Sequence, residues 1–221
     1  ELTWTENTGF ASGNIIVSDA NRARTDTTNT SFYYVDNFTP ANYNYDVECT
    51  VRVVTLPTSN NTYLGVGGRA ASTSASGGYI AWLVKTASSW QIQLALYGSS
   101  SLASVNITAP VAGTSYQLKL NMRDHILNCW WDGTKVISYN AGSGRITAVG
   151  NPTLYMDGVT SFVSNSTGFH IDDYTVTDAP TPTTTNVTVT NSELWYNGYD
   201  GTGTPQQSTF AAWKFTTAAT L

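Results

Sequence analysis

Charge is what this sequence has least of. Lys and Arg number 10 and Asp and Glu 15 in 221 residues, so charged side chains make up 11% of the chain and the net charge is −5. With so few cations, and none gathered into a stripe, nucleic acid is excluded as a partner. Long apolar runs are missing too. The longest, such as "YIAWLV" at 79–84, have the length of a strand, and a membrane-spanning helix needs about 20 apolar residues. Two cysteines, Cys49 and Cys129, cannot build a disulfide framework. Their parity points inward, which fits buried thiols acting as small hydrophobes or a single bridge, with free thiols favoured. Glutamate is limited to Glu1, Glu6, Glu48 and Glu193, none with acidic partners at i+2 and at i+4 or i+5. The paired carboxylates that retaining glycoside hydrolysis requires are therefore missing. Asp46 and Glu48 share a strand face without a third acid and read as a polar outward face. No G-x-S-x-G stretch accompanies His125 or His170, which read as surface or structural residues. The chain reads as non-catalytic, without cofactor or metal. Asp172–Asp173 and Asp36–Asn37 offer hard oxygens of the kind calcium prefers, but adjacent acids on a strand more often mark a bulge or an exposed edge.

What is present is Ser and Thr, about a quarter of the chain, with aromatics at 12%. This much Trp, Tyr, Val, Ile and Leu can be buried, so the chain is not a disordered one. Low charge with abundant Thr, Ser, Asn, Gly and Tyr suits an extracellular protein or one on a cell or virion surface. Six Asn-x-Ser/Thr sequons, at Asn29, Asn37, Asn60, Asn106, Asn165 and Asn186, mark a candidate glycoprotein but barely exceed chance in so Asn-, Ser- and Thr-rich a chain.

Alternation at period two dominates. In "DVECTVRVV" the apolar set is Val47, Cys49, Val51 and Val53; in "SSWQIQLALYG" it is Trp90, Ile92, Leu94 and Leu96, with Gln91, Gln93 and Tyr97 opposite. "SYQLKLNMRDHILNCWWDGTKVISY" repeats the pattern twice around a tight turn at Arg123–Asp124–His125, with Tyr116, Leu118, Leu120 and Met122, then Leu127, Cys129 and Trp131, inward. Turn signals recur every ten residues or so. The spacing predicts an all-β, antiparallel jelly-roll β-sandwich of ten or more strands over residues 1–178. Val47, Val51, Ile92, Leu94, Leu118, Leu120 and Trp131 are expected in its core.

The order of "YDVECTVRVV", "YLGVGGRA", "GGYIAWLV", "WQIQLALYG", "YQLKLNMRDHILNCWWDGTKV" and "GFHIDDYTVTD" resembles the concanavalin A-like, laminin-G-like jelly-roll superfamily over residues 1–178. That resemblance implies a fold far better than a task, since its members include lectins, carbohydrate-binding modules, glycosidases and adhesive or virion domains. Sugar binding needs exposed aromatic platforms beside amides, because pyranose faces are apolar and their rims polar. Tyr97 with Gln91 and Gln93, and Trp130 with Asn128, have outward parity and are the candidate glycan contacts; Trp82 and Trp90 have core parity.

After residue 178 comes "APTPTTT", which predicts a linker or hinge over 179–186. Residues 187–221 read as a short β-rich extension carrying Trp195, Tyr196, Phe210, Trp213 and Phe215. So small a piece cannot cover its own apolar face, and its edges invite strand addition. The first expectation is therefore a non-catalytic structural protein, its copies joined head-to-tail through this extension into a fibre, filament or shell. The alternative is a carbohydrate-binding adhesin or module whose partners are glycans.

Overall fold

Alternating strands become two sheets packed face to face. The protein is described from a computed structural model at residues 4–6, 15–17, 22–25, 31–35, 37–71, 77–99, 101–157, 164–179, 195–199 and 205–207. The chain divides into two compact units, Glu1–Ala179 and Pro180–Leu221. The first holds β1 (Trp4–Glu6), β2 (Ile15–Val17), β3 (Ala23–Thr25), β4 (Ser31–Val35), β5 (Tyr45–Val53), β6 (Thr62–Ala70) and β7 (Tyr79–Lys85). It continues with β8 (Trp90–Leu96), β9 (Ser101–Ile107), β10 (Ser115–Arg123), β11 (Ile126–Trp131), β12 (Thr134–Asn140), β13 (Asn151–Met156) and β14 (Phe169–Asp178). In the second unit β15 (Trp195–Tyr199) pairs antiparallel with β16 (Pro205–Gln207). Trp195 and Tyr196 thus lie on a strand; Phe210, Trp213 and Phe215 lie outside the described residues.

One sheet has the order β1-β4-β13-β6-β7-β8-β9, the other β12-β11-β10-β5-β14-β3-β2. This is an all-β jelly-roll sandwich, and a single 3₁₀ turn at Gly142–Gly144 is the one helical element among the described residues. No helix among them is long and apolar enough to cross a membrane. The expected core is in place: Val47, Val51, Ile92, Leu94, Leu118 and Leu120 have no exposure and Trp131 8%. Each such side chain contributes roughly 1.5–3 kcal/mol on burial. The β10–β11 hairpin turns at Asp124 (φ 50°) and the β11–β12 hairpin at Asp132 (φ 48°) and Gly133 (φ 75°). Left-handed residues there match the right-handed twist of the strands.

Cys49 on β5 and Cys129 on β11 face the core from strands separated by β10, where Leu118 pairs with Cys49 and Leu120 with Cys129. Two strand spacings, roughly 10 Å, exceed the reach of a disulfide. Both thiols are free and buried, and burial pushes the Cys129 pKa up to about 12 and that of Cys49 upward as well.

At one end of the sandwich Arg69 turns inward. It has a left-handed backbone (φ 56°) and only 1% exposure. Its Nε donates to the Tyr43 carbonyl (2.7 Å) and its Nη1 to those of Asp124 (3.0 Å) and Ile146 (2.8 Å). Its backbone N–H donates to the Tyr45 hydroxyl, and the rings of Tyr43 and Tyr79 lie 4.9 and 5.7 Å from the guanidinium. One side chain thereby ties the approach to β5, the β10–β11 turn and the segment before β13.

Two outcomes test this account. The native protein should resist a thiol reagent and titrate two thiols only in denaturant; prompt native labelling would contradict the burial. Arg69→Met strands three carbonyls and should cost on the order of 3 kcal/mol, lowering Tm by about 6–12 °C in thermal melts. An unchanged Tm would remove Arg69 from this structural role.

Candidate functional site

With the core between the sheets, anything the sandwich binds meets an outer face. The outer face of the β6–β7–β8–β9 sheet is aromatic, with the Asp157 carboxylate accepting from the Tyr155 hydroxyl (2.9 Å). Phe32 on β4 stacks on Tyr97, just past β8, with centroids 4.3 Å apart, and Tyr155 on β13 lies 6.0 Å edge-on from Tyr97. Three strands, β13, β6 and β7, lie between β4 and β8. In a flat sheet the two residues would be about 19 Å apart, farther than two rings can span. The sheet is therefore curled and this face concave. Tyr97 has the outward parity the sequence indicates, but it is buried to 3% exposure beneath Phe32 and is not a contact for an incoming ligand. That corrects the expectation: an outward position is exposed only if nothing on the same face folds over it.

Farther along the trough a row of residues crosses four strands. Gly65 pairs with Trp82, Trp82 with Gln93, and Gln93 with Ser104. A Cβ on Gly65 would stand 2.3 Å from Cδ1 of Trp82, so the glycine is what admits the indole. Tyr63 packs edge-on at 5.2 Å and Tyr155 tilts at 5.9 Å, leaving Trp82 half-buried as a platform. Its Nε1 is buried and has no partner among the described residues, so what Trp82 leaves accessible is its apolar carbon surface. Beside the platform runs a ladder of amides: Gln93 Nε2 donates to Gln91 Oε1 (2.8 Å) and Gln91 Nε2 to Asn106 Oδ1 (2.9 Å). Gln91 and Gln93 therefore line the face with Trp82 rather than with Tyr97. Core parity was the wrong expectation for Trp82, because Tyr79, Ala81 and Leu83 fill the core side of β7 and Ile80 and Val84 are buried on the other. A strand buried on both faces carries no alternation from which to read direction. Trp90 does lie in the core.

The other two candidate contacts, Asn128 and Trp130, are on the opposite side of the molecule, on the outer face of the β5–β10–β11 sheet. The five residues form two surfaces. On this second face Lys119 Nζ lies 2.9 Å from Asp46 and 3.4 Å from Glu48, and Arg123 Nη1 lies 2.6 Å from Asp46. Desolvation alone would lower the Lys119 pKa, but its hydrogen bond to Asp46 and the charges of Asp46 and Glu48 outweigh it and hold the pKa above its ordinary value. Ionised Asp46 only accepts, so it fixes the sense of a chain in which Asn121 Nδ2 donates to Asp46 (2.8 Å) and Asn128 Nδ2 to Asn121 Oδ1 (3.0 Å). Asp46 and Glu48 are thus a neutralised surface pair.

Of the remaining polar candidates, His170 is buried against the Ser164 carbonyl (3.1 Å), and desolvation lowers its pKa. His125 sits at the β10–β11 turn, its Nδ1 2.8 Å from Asp124 Oδ2. Asp172 and Asp173 mark a break in register on β14, where Asp173 has φ 47°; Asp172 pairs with Arg22 at 3.4 Å and Asp173 accepts from Thr50. Asp36 lies outside the described residues.

The two facing antiparallel sheets and their strand order define a concanavalin A-like jelly roll. Among solved structures the chain is similar to carbohydrate-binding module CBM66 from Bacillus subtilis, at 14% identity and a TM-score of 0.57 over 79% of this chain and 95% of that one. It is also similar to the carbohydrate recognition domain of Emp47p (10% identity, TM-score 0.57, 80% of this chain and 89% of that one). Alginate lyase A1-II′ is a further neighbour (10% identity, TM-score 0.53, 76% of this chain and 84% of that one). No protein-family model matches the sequence, and no curated protein does.

The close seat of Trp82 gives a direct test. An alanine at position 65 would bring its Cβ within 2.5 Å of the Ala81 carbonyl as well as against the indole. Gly65→Ala should cost about 1–3 kcal/mol and move the Trp82 indole resonance; a variant with wild-type stability and an unmoved resonance would contradict the packing.

Proposed function

We propose that the chain is a non-catalytic carbohydrate-binding module of an extracellular, cell-surface or virion-surface protein, and that it takes neutral glycan on its concave face. One observation carries the reading. The half-buried Trp82 packs its indole against Gly65 through Cδ1, with Gln93 and Ser104 next in the same row and the Gln93–Gln91–Asn106 ladder alongside. A pyranose ring has an apolar face for the indole and a rim of hydroxyls that both donate to and accept from amides. The row offers both within roughly 10 Å, two strand spacings. Two of the neighbouring solved structures are a carbohydrate-binding module and a carbohydrate recognition domain, which supports the same reading.

Catalysis finds no comparable support. Asp46 and Glu48, on the face away from the trough, are engaged by Lys119. The head-to-tail polymer remains the second reading. It rests on Trp195 and Tyr196, which lie on β15, and on Phe210, Trp213 and Phe215, which lie outside the described residues.

Retention on immobilised neutral polysaccharides, followed by affinity gel electrophoresis, tests the proposal. Trp82→Ala should weaken binding more than ten-fold and Gln93→Ala about two- to ten-fold, with no reducing sugar released by either the wild type or the variants. Full binding by Trp82→Ala, or hydrolysis abolished by Glu48→Ala, would overturn it. Sedimentation of the full chain separates the two readings, since the module is expected as a monomer and the polymer subunit as a large species.

A further inference from the structure

The outer face of the second sheet carries a depression that the concave face does not account for. It encloses about 250 Å³ and is lined by Glu48, Gln117, Lys119, Asn121, Trp130 and Gly133. We propose that it is a second, independent saccharide subsite that takes a single neutral pyranose ring against Trp130.

The register places these groups together. Trp130 pairs with Lys119 across β10–β11, and Lys119 pairs with Glu48 across β5–β10. Trp130 is half-buried, and its Nε1 is covered and without a partner among the described residues. The Nε1 edge is therefore covered, and Trp130 lines the depression. Lys135 places its ammonium 5.9 Å from the ring centroid, near the limit of a cation–π contact. Gly133 keeps the rim low: a Cβ there would meet nothing within 4 Å.

Polar groups on the floor have hydrogen-bonding capacity left. Gln117 is exposed and makes no side-chain bond among the described residues. Asn121 spends one N–H on Asp46 and its oxygen on Asn128, leaving the other N–H. Glu48 meets Lys119 through Oε2 and keeps Oε1. Donors and acceptors side by side with one apolar plane are the complement of a hydroxylated ring.

The charges favour a neutral one. On the floor Lys119 and Arg123 are already matched to Asp46 and Glu48, so an anionic sugar would meet carboxylates there and could pair only with Lys135 beside the Trp130 ring. The enclosed volume lies below the usual range for drug-sized ligands, roughly 300–1,000 Å³, and suits one ring rather than a chain. This subsite does not depend on Trp82, which lies on the far side of the sandwich.

The test is a ¹H–¹⁵N titration of the full-length chain, with the Trp130 indole signal assigned by its loss in Trp130→Phe. The probes are the methyl glycosides of glucose, galactose and mannose, N-acetylglucosamine, and glucuronate. The expected result is a saturable shift of the Trp130 signal with at least one neutral pyranose. The shift should persist in Trp82→Ala and weaken about three- to ten-fold in Gln117→Ala, an exposed position where folding is not at stake. An unmoved signal with every neutral probe, a shift with glucuronate alone, or a shift lost in Trp82→Ala would each overturn the proposal. Failure here leaves the concave face untouched, because binding lost at Trp82 is read on a different indole.

Discussion

A guanidinium out of water is the constraint around which this sandwich is arranged. Arg69 is almost wholly buried, and desolvation lowers its pKa despite the rings and carboxylate around it. A charge in that position is tolerated only if its donors are met. Here Nε and Nη1 are met by carbonyls of three separate segments rather than by a buried carboxylate, while Nη2 has no hydrogen-bond partner among the described residues. Asp124 contributes from outside: it binds Arg145 (2.8 Å) and His125 (2.8 Å), and accepts from Tyr43 at 3.2 Å. Carbonyls belong to the backbone, so satisfying Arg69 fixes where the chain runs and not merely where side chains point. The end of the sandwich at which β6, the β10–β11 turn and the approach to β5 meet is thereby closed, and β6 is held as the floor of the concave face.

That floor explains why the two outer faces differ. Gly65 and Gly67 face the trough from β6, and a Cβ on either would collide with its neighbours, at 2.3 Å from Trp82 for the first and 2.5 Å from Thr153 for the second. Without side chains there, aromatic rings from both flanks fold inward and meet across the sheet, which gives Phe32, Tyr97 and Tyr155 a small core of their own. The opposite face has no such gap. Its strands carry Asp46, Glu48, Lys119 and Arg123 in cross-strand register, and the face is held by ion pairs and amide bonds instead of ring packing. Exposed pairs of this kind contribute little to stability. Their effect is to leave the floor polar yet neutral, around a single indole.

How far the sequence foretold this depends on the strand. β5, β8, β10 and β11 have one face in the core and one in water, so period-two alternation gave their direction and most of the core with it. Gln91, Gln93, Asn128 and Trp130 were located on outer faces for the same reason. β7 hides both faces and so hid Trp82, the residue on which the concave site turns. Tyr97 failed differently: its parity was right, but its cover comes from Phe32, sixty-five positions earlier, brought near only by the curl of the sheet. Nor could sequence separate one pair of candidate contacts from the other. Assigning β8 and β11 to different sheets depends on strand order, which local patterns do not encode. The presence of Gly65 between Tyr63 and Val66 was the one available hint, since a glycine inside a strand signals a close approach.

Shallow faces have a thermodynamic consequence. A ring stacked on one indole and bonded to a few amides gains modest free energy against the cost of losing its translational freedom, so each face alone is suited to weak binding. Two faces on opposite sides of a rigid sandwich cannot grip the same short oligosaccharide, and they do not act as one extended groove. If both bind as proposed, they can engage separate chains of a polysaccharide or separate branches on a surface, where the second contact becomes intramolecular and gains by effective concentration. Rigidity matters for that gain. The distance between the indoles of Trp82 and Trp130 is set by two sheets packed about 10 Å apart, and Arg69 holds the end at which the strands of both sheets meet. On that proposal a loosened sandwich would keep each indole yet blur their separation, and the avidity would fall before either face lost its own affinity.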